Sequence, residues 1–278
     1  MKSINSFFLL AISIPMVIWS NPASMDIGYF AIDKITGNGG VGFDLNWEVQ
    51  GGNNFFNQAY AIIPNYCATQ PIPSGSTSNP TLNVALANTA VTKAAITNSS
   101  SNSGNREYCD FVYYGGHGYP GGLYLGNAGS GYGGISPADL KLGTGYTRFF
   151  ISKSCSFYNN SPDQTTYWNQ SFQGLKAMLG FKSLVYDNFN STNEYQNFWN
   201  NWTYSGYPLF TAFSFAEANW GYTQLGHTGL EVGCLSAKRP GFYNNYCDDP
   251  YLQVDHNWNK AAIGSGDYYS TIIGTPEY

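Results

Sequence analysis

Two residues in this sequence have the types that nucleophilic chemistry needs, and each comes just after an apolar run. His117 stands in FVYYGGHG and Cys155 in FFISKSC. A thiol attacks carbon as its thiolate, and a nearby imidazolium favours that form. The same imidazole can then protonate a leaving amine. Glycines around His117 let a substrate backbone approach closely and leave the Gly118 N–H free to hydrogen-bond an oxyanion. Plainer readings stay open on spacing alone. A cysteine after a strand is often a small core residue or half of a disulfide, and a histidine between glycines can cap a turn. His227, in LGHTGLE, and His256, after Asp255, read as structural, with His227 next in line as a base.

The elements that must position this pair are Asp110–Tyr114 and Tyr146–Ser152. Short continuous apolar runs of this kind fit buried strands of a parallel sheet. Ligands of open α/β sheets collect outside the carboxyl ends of the strands, so neighbouring strands here would bring His117 and Cys155 to one crevice. Asp26–Asp33 reads as a first strand, and Phe43–Tyr60 as helix or strand. Val84, Ala87, Val91, Ala94 and Ala95 recur at helical spacing. Ser136–Leu142 is a short helix candidate. Trp168, Phe172, Leu175, Met178 and Leu179 predict another helix, stopped by Gly180. Ser183–Tyr186 reads as a strand, Glu194–Trp202 and Pro208–Trp220 as helices, and Glu231–Ala237 as a last strand. Strands alternating with helices predict an α/β fold with a mostly parallel sheet covered on both faces.

The 278 residues are 43% hydrophobic, enough for a substantial core, yet only 10% charged, against about 25% in ordinary soluble domains. Asn, Ser, Thr, Gly and Tyr replace the missing charge, which suits an extracellular protein. The formal net charge is −5 and the few basic residues are scattered, so nucleic acid and anionic membrane are set aside as partners. No phosphate-binding Gly-Lys-Ser/Thr, dinucleotide glycine pattern or H-E-x-x-H is present, and no cofactor or metal is expected. Asp248, Asp249 and Asp255 read as an acidic surface loop rather than a calcium site.

Lys2, the apolar run Phe7–Trp19 and the small residues Ser20, Ala23 and Ser24 form a signal peptide pattern. Cleavage between Ser20 and Met25 divides the chain into a signal peptide, 1–24, and one α/β domain, 25–278. An uncleaved N-terminal anchor is the alternative. Export to an oxidising compartment lets cysteine pairs form disulfides. Of five cysteines, Cys234 and Cys247 suit a local staple and Cys67 with Cys109 a longer one, leaving Cys155 unpaired. Sequence does not fix that connectivity.

A hydrophobic strand ending in His-Gly, then a second ending in Cys, resembles the caspase–gingipain–legumain clan of cysteine peptidases. LKLG before the second strand, the Cys, WNQSFQGLKAMLGFKS and the aromatic segment Phe198 to Trp220 are similar to an uncharacterised caspase-like family of secreted bacterial proteins. The resemblance runs over about Asp26 to Trp220. It implies a caspase-like three-layer sandwich, Cys155 as nucleophile and His117 as general acid/base. It also implies the backbone N–H groups of Gly118 and Cys155 as oxyanion donors, a peptide or protein substrate and no metal. Clan members often carry a small residue such as Ala just before the Cys or two before it, where this chain has Ser154 and Lys153. Asp187 is a candidate pocket acid, weighed against a solvated strand-end Asp. The expectation is a secreted cysteine peptidase or amidase. A non-catalytic binding module on the same fold and an acyl transferase are the rivals, and the oligomeric state is left open.

Overall fold

The structure is a computed structural model that describes residues 25–34, 45–69, 79–100, 102–125, 134–158, 164–185, 191–225, 230–237, 247 and 268–274. The segment 1–24, Asp187, His227, His256 and the acidic trio Asp248, Asp249 and Asp255 lie outside the described residues.

In chain order the elements are β1 (Asp26–Ala31), α1 (Glu48–Thr69), β2 (Thr81–Ala87), α2 (Lys93–Thr97), β3 (Phe111–Gly115), β4 (Gly118–Tyr119) and β5 (Gly122–Tyr124). They continue with β6 (Gly134–Ile135), β7 (Phe149–Lys153), α3 (Gln164–Asn169), β8 (Ala177–Phe181), α4 (Ser191–Trp202), α5 (Leu209–Leu225), β9 (Val232–Ala237) and β10 (Tyr268–Gly274). Seven strands form one sheet in the order β10-β9-β8-β7-β3-β1-β2. The five from β8 to β2 run parallel, β9 runs antiparallel to β8, and β10 antiparallel to β9. A small antiparallel sheet, β4-β5-β6, follows β3.

Alternate residues of the central strands enter opposite cores, as the two-residue strand period requires. Phe111, Tyr113, Phe149, Ile151 and Leu179 pack with Phe55 of α1, Phe198, Trp199 and Trp202 of α4 and Phe213 of α5. Val112, Tyr114, Phe150 and Met178 face the other way, onto Ile96, Phe157, Trp168 and Leu175. Helices and loops thus cover both faces of a mostly parallel sheet, giving the three layers expected.

Four sequence expectations change. The helical spacing around Val84 is instead strand β2, an edge strand paired with β1. Asn88, at a left-handed φ of 52°, ends that strand, and its side-chain oxygen accepts from the Asp33 and Lys34 amides. Asn tolerates this conformation better than most residues, and it breaks any helix running from Val84 to Ala95. The second expected helix stops early, at Asn169. Gly174, at φ 129°, precedes β8, whose five residues are all buried. Helical and strand readings of a short apolar run are not separable by spacing, and burial on both faces decides for the strand. Ser136 to Leu142 makes a turn instead of a helix, and in it the Asp139 carboxylate accepts from the Ser136 amide and hydroxyl. Ser183–Val185 is likewise not a strand: β8 ends at Phe181.

Cys234 and Cys247 form the expected disulfide. Cys109, by contrast, is a buried free thiol, which overturns the pairing with Cys67. It sits in the core on the face of Val112 and Ile96, whereas α1, which carries Cys67, packs on the opposite face. Among the described residues no helix is long and apolar enough to cross a membrane.

Candidate active site

β3 and β7 are adjacent and parallel, with Gly115 opposite Lys153 at their carboxyl ends. His117 lies two residues past the end of β3 and Cys155 two past the end of β7. The Gly116 amide donates to the Lys153 carbonyl at 3.2 Å, so the pairing extends one step into the turn. A Cβ on Gly118 would run into the Cys155 carbonyl oxygen and lie 2.9 Å from the Ser154 hydroxyl. The main chain after His117 therefore rests on the main chain of Cys155, and only glycine permits this.

Cys155 is partly exposed. Its sulfur is held by one residue of the chain itself: the thiol donates to the Val185 carbonyl at 3.1 Å and accepts from the Val185 amide at 3.2 Å. Burial pushes the thiol pKa up, and the Val185 amide pulls it partly back. The Glu48 charge then raises it, and the amide of Cys155 itself, bonded to its own sulfur, lowers it. The net direction is upward, so the unliganded cysteine is a neutral thiol at neutral pH.

Beneath the site is a buried ionic cluster that motif reading missed. Lys153, on the last position of β7, contacts Glu194 of α4 and Glu217 of α5, the latter at 3.0 Å. Tyr113 of β3 bonds Glu48 of α1 at 3.3 Å and Tyr195 of α4 at 2.8 Å. Burial pulls the Lys153 ammonium down, but Glu194, Glu217 and Glu48 together outweigh it and hold it charged. Burial and the Glu194 charge push the Glu217 carboxyl well up, against the pull of Lys153. Three carboxylates around one ammonium leave buried charge unbalanced, which favours the protonated form at Glu217. The signal was present in the sequence as single acids inside aromatic helices, NEYQNFWNNW and FSFAEANW.

No described group of His, Cys, Asp and Glu could hold a metal ion. A sequence-family model described as a domain of unknown function, DUF6345, matches residues 86–266, well over half of the 278 residues. The chain belongs to the DUF6345 family. The matched stretch contains His117, Cys155, Lys153, Glu194 and Glu217, whereas Glu48 precedes the DUF6345 region. Among solved structures, the chain is similar to a secreted C11 cysteine protease from Bacteroides thetaiotaomicron, in complex with an irreversible peptide inhibitor. The identity is 11% and the TM-score 0.46, over 78% of this chain and 66% of that one. No curated protein matches the sequence.

Proposed function

We propose that this DUF6345 chain is a secreted cysteine-dependent hydrolase of peptide or protein substrates, with Cys155 as nucleophile and His117 as general acid/base. The observation that carries the reading is the parallel pairing of β3 with β7, with Gly115 opposite Lys153. It sets both residues at the carboxyl edge of one sheet, the edge at which such folds bind ligands.

In the proposed reaction a substrate carbonyl displaces the Val185 contacts from the sulfur. The Cys155 proton passes to His117 as the sulfur–carbon bond forms, and the amides of Gly118 and Cys155 bind the oxyanion. Collapse breaks the carbon–nitrogen bond, and His117 returns the proton to the leaving amine. Water, deprotonated by His117, then cleaves the thioester and regenerates the thiol. No metal or cofactor takes part. Secretion is supported by the N-terminal Lys2–Ser24 pattern and by the Cys234–Cys247 disulfide, a bond that persists in oxidising compartments.

The test is cleavage of a peptide library by the exported protein and by Cys155→Ala. Cleavage by the wild type and none by the variant supports the reading, and equal cleavage by both sinks it. One observation favours a second reading, a non-catalytic binding module: the sulfur is already engaged on both sides by Val185. That reading predicts no cleavage of any library member by either protein.

A further inference from the structure

His117 projects from a turn whose main chain is held from inside the fold by one side chain. Tyr114, the fourth residue of β3, points into the core opposite Glu48 and is fully buried. Its hydroxyl reaches the His117 carbonyl at 3.1 Å and the Tyr124 carbonyl at 2.5 Å. The Tyr124 amide donates to the same His117 carbonyl at 3.1 Å. The phenol's single proton is shared between the two carbonyls, and the Tyr124 amide adds a donor of its own at the His117 carbonyl. The hydroxyl closes the β4–β5 hairpin back onto β3. It also fills the turn: a Cβ on Gly116 would stand 2.8 Å from it, so the second glycine of YYGGHG makes room for the phenol.

We propose that Tyr114 is a positioning residue for His117, its hydroxyl fixing the main chain from which the imidazole reaches the Cys155 crevice. The proposal rests on the Cys155/His117 reading for its effect on reactivity, and on the hydrogen bonds alone for its effect on His117. Tyr114 touches neither substrate nor sulfur. Burial holds its phenol well above the ordinary tyrosine pKa, so the hydroxyl remains a donor throughout the pH range in which His117 would work. Tyr119 supplies the comparison. Its hydroxyl bonds the Ile135 carbonyl within the same small sheet.

The experiment compares Tyr114→Phe and Tyr119→Phe with the wild type by two readouts. The chain has only three histidines, so ring proton–carbon NMR resolves them, with His117 assigned through His117→Gln. The second readout is the pH profile of Cys155 alkylation by iodoacetamide, located by peptide mass spectrometry. Tyr114→Phe should shift or broaden the His117 ring signal and slow alkylation near pH 7, on the order of tenfold, toward the His117→Gln rate. Tyr119→Phe should change neither. An unmoved His117 signal in folded Tyr114→Phe overturns the proposal, whatever the alkylation rate. A moved signal with alkylation indifferent to both Tyr114→Phe and His117→Gln upholds the positioning role and overturns the dyad reading instead. If Tyr114→Phe does not fold, p-aminophenylalanine at 114, which keeps a donor there, should restore both readouts. A folded protein with a wild-type donor position but a displaced His117 signal would overturn the proposal equally.

Discussion

Gly118 packs its α-carbon against the carbonyl oxygen of Cys155, with no room for a side chain between them. The two turns that carry the candidate dyad are therefore one packed unit. Gly118→Ala must part them, because the atom it would strike is backbone rather than a flexible side-chain tip. Overpacking of this kind typically costs about 1–3 kcal/mol. The variant should melt lower than the wild type and lose most Cys155-dependent chemistry, while Gly104→Ala, whose added Cβ meets nothing within 4 Å but whose φ of 86° disfavours any side chain, should lower the melt yet leave that chemistry intact. Thermal melts and alkylation rates on the two variants check this.

Glu48 should act on Cys155 through charge. It lies in the ionic cluster and raises the thiol pKa, behind burial as the larger cause. Glu48→Gln removes the charge while keeping an acceptor for the Tyr113 hydroxyl. The thiol should then titrate at lower pH, so the iodoacetamide profile should move to the acid side of the wild-type profile. A shift to the alkaline side would contradict the assignment of sign.

The Lys153 cluster should be costly to break at one end and nearly indifferent at the other. Lys153→Met leaves Glu194 and Glu217 buried without their cation, a loss of about 3–5 kcal/mol. Glu217→Gln replaces a carboxyl that is already pushed toward its neutral form, and should change stability by under about 1 kcal/mol. Urea unfolding of both variants at neutral pH checks the asymmetry. Equal losses would mean that Glu217 is charged.

Much of the site's framework was legible. FVYYG and FFISK are buried on both faces, so their continuous apolar character gives strands directly, and the polar residues that follow mark their carboxyl ends. Less legible were the runs whose environment, rather than spacing, decides their form. LKAMLGFKS becomes β8 because it is flanked by β7 and β9, neither of which a local window contains. TLNVALA becomes β2 because Asn88 turns the chain. The Lys153 cluster draws on α1, β3, β7, α4 and α5, elements up to 82 residues apart in a single contact, and no local motif encodes such a meeting. Val185 belonged to an expected strand and was found to hold the sulfur, a contact that depends on where β8 stops.

At the opposite edge of the sheet, Asp110 gives a pH signature. Burial raises its pKa to about 7, against the Asp26 amide that it accepts. A carboxyl with a raised folded pKa binds its proton more tightly in the native state than in the unfolded chain. Its contribution is therefore fully present below pH ~4 and is lost as the pH climbs from there through about 7. Asp110→Asn, which keeps the acceptor for the Asp26 amide, should flatten that decline. Melting temperatures from pH 4 to 8 should fall less steeply in the variant than in the wild type, and parallel curves would contradict the shift.

The most direct test of the central claim is the alkylation rate of Cys155 in the folded, unreduced protein, compared between wild type and His117→Ala at pH 7. The account predicts that Cys155 labels while buried Cys109 does not, and that removing His117 slows Cys155 by on the order of tenfold or more, since the imidazole takes the thiol proton as the sulfur–carbon bond forms. Labelling of Cys155 at the same rate in both proteins would mean that His117 does not act on the sulfur, and would contradict the dyad.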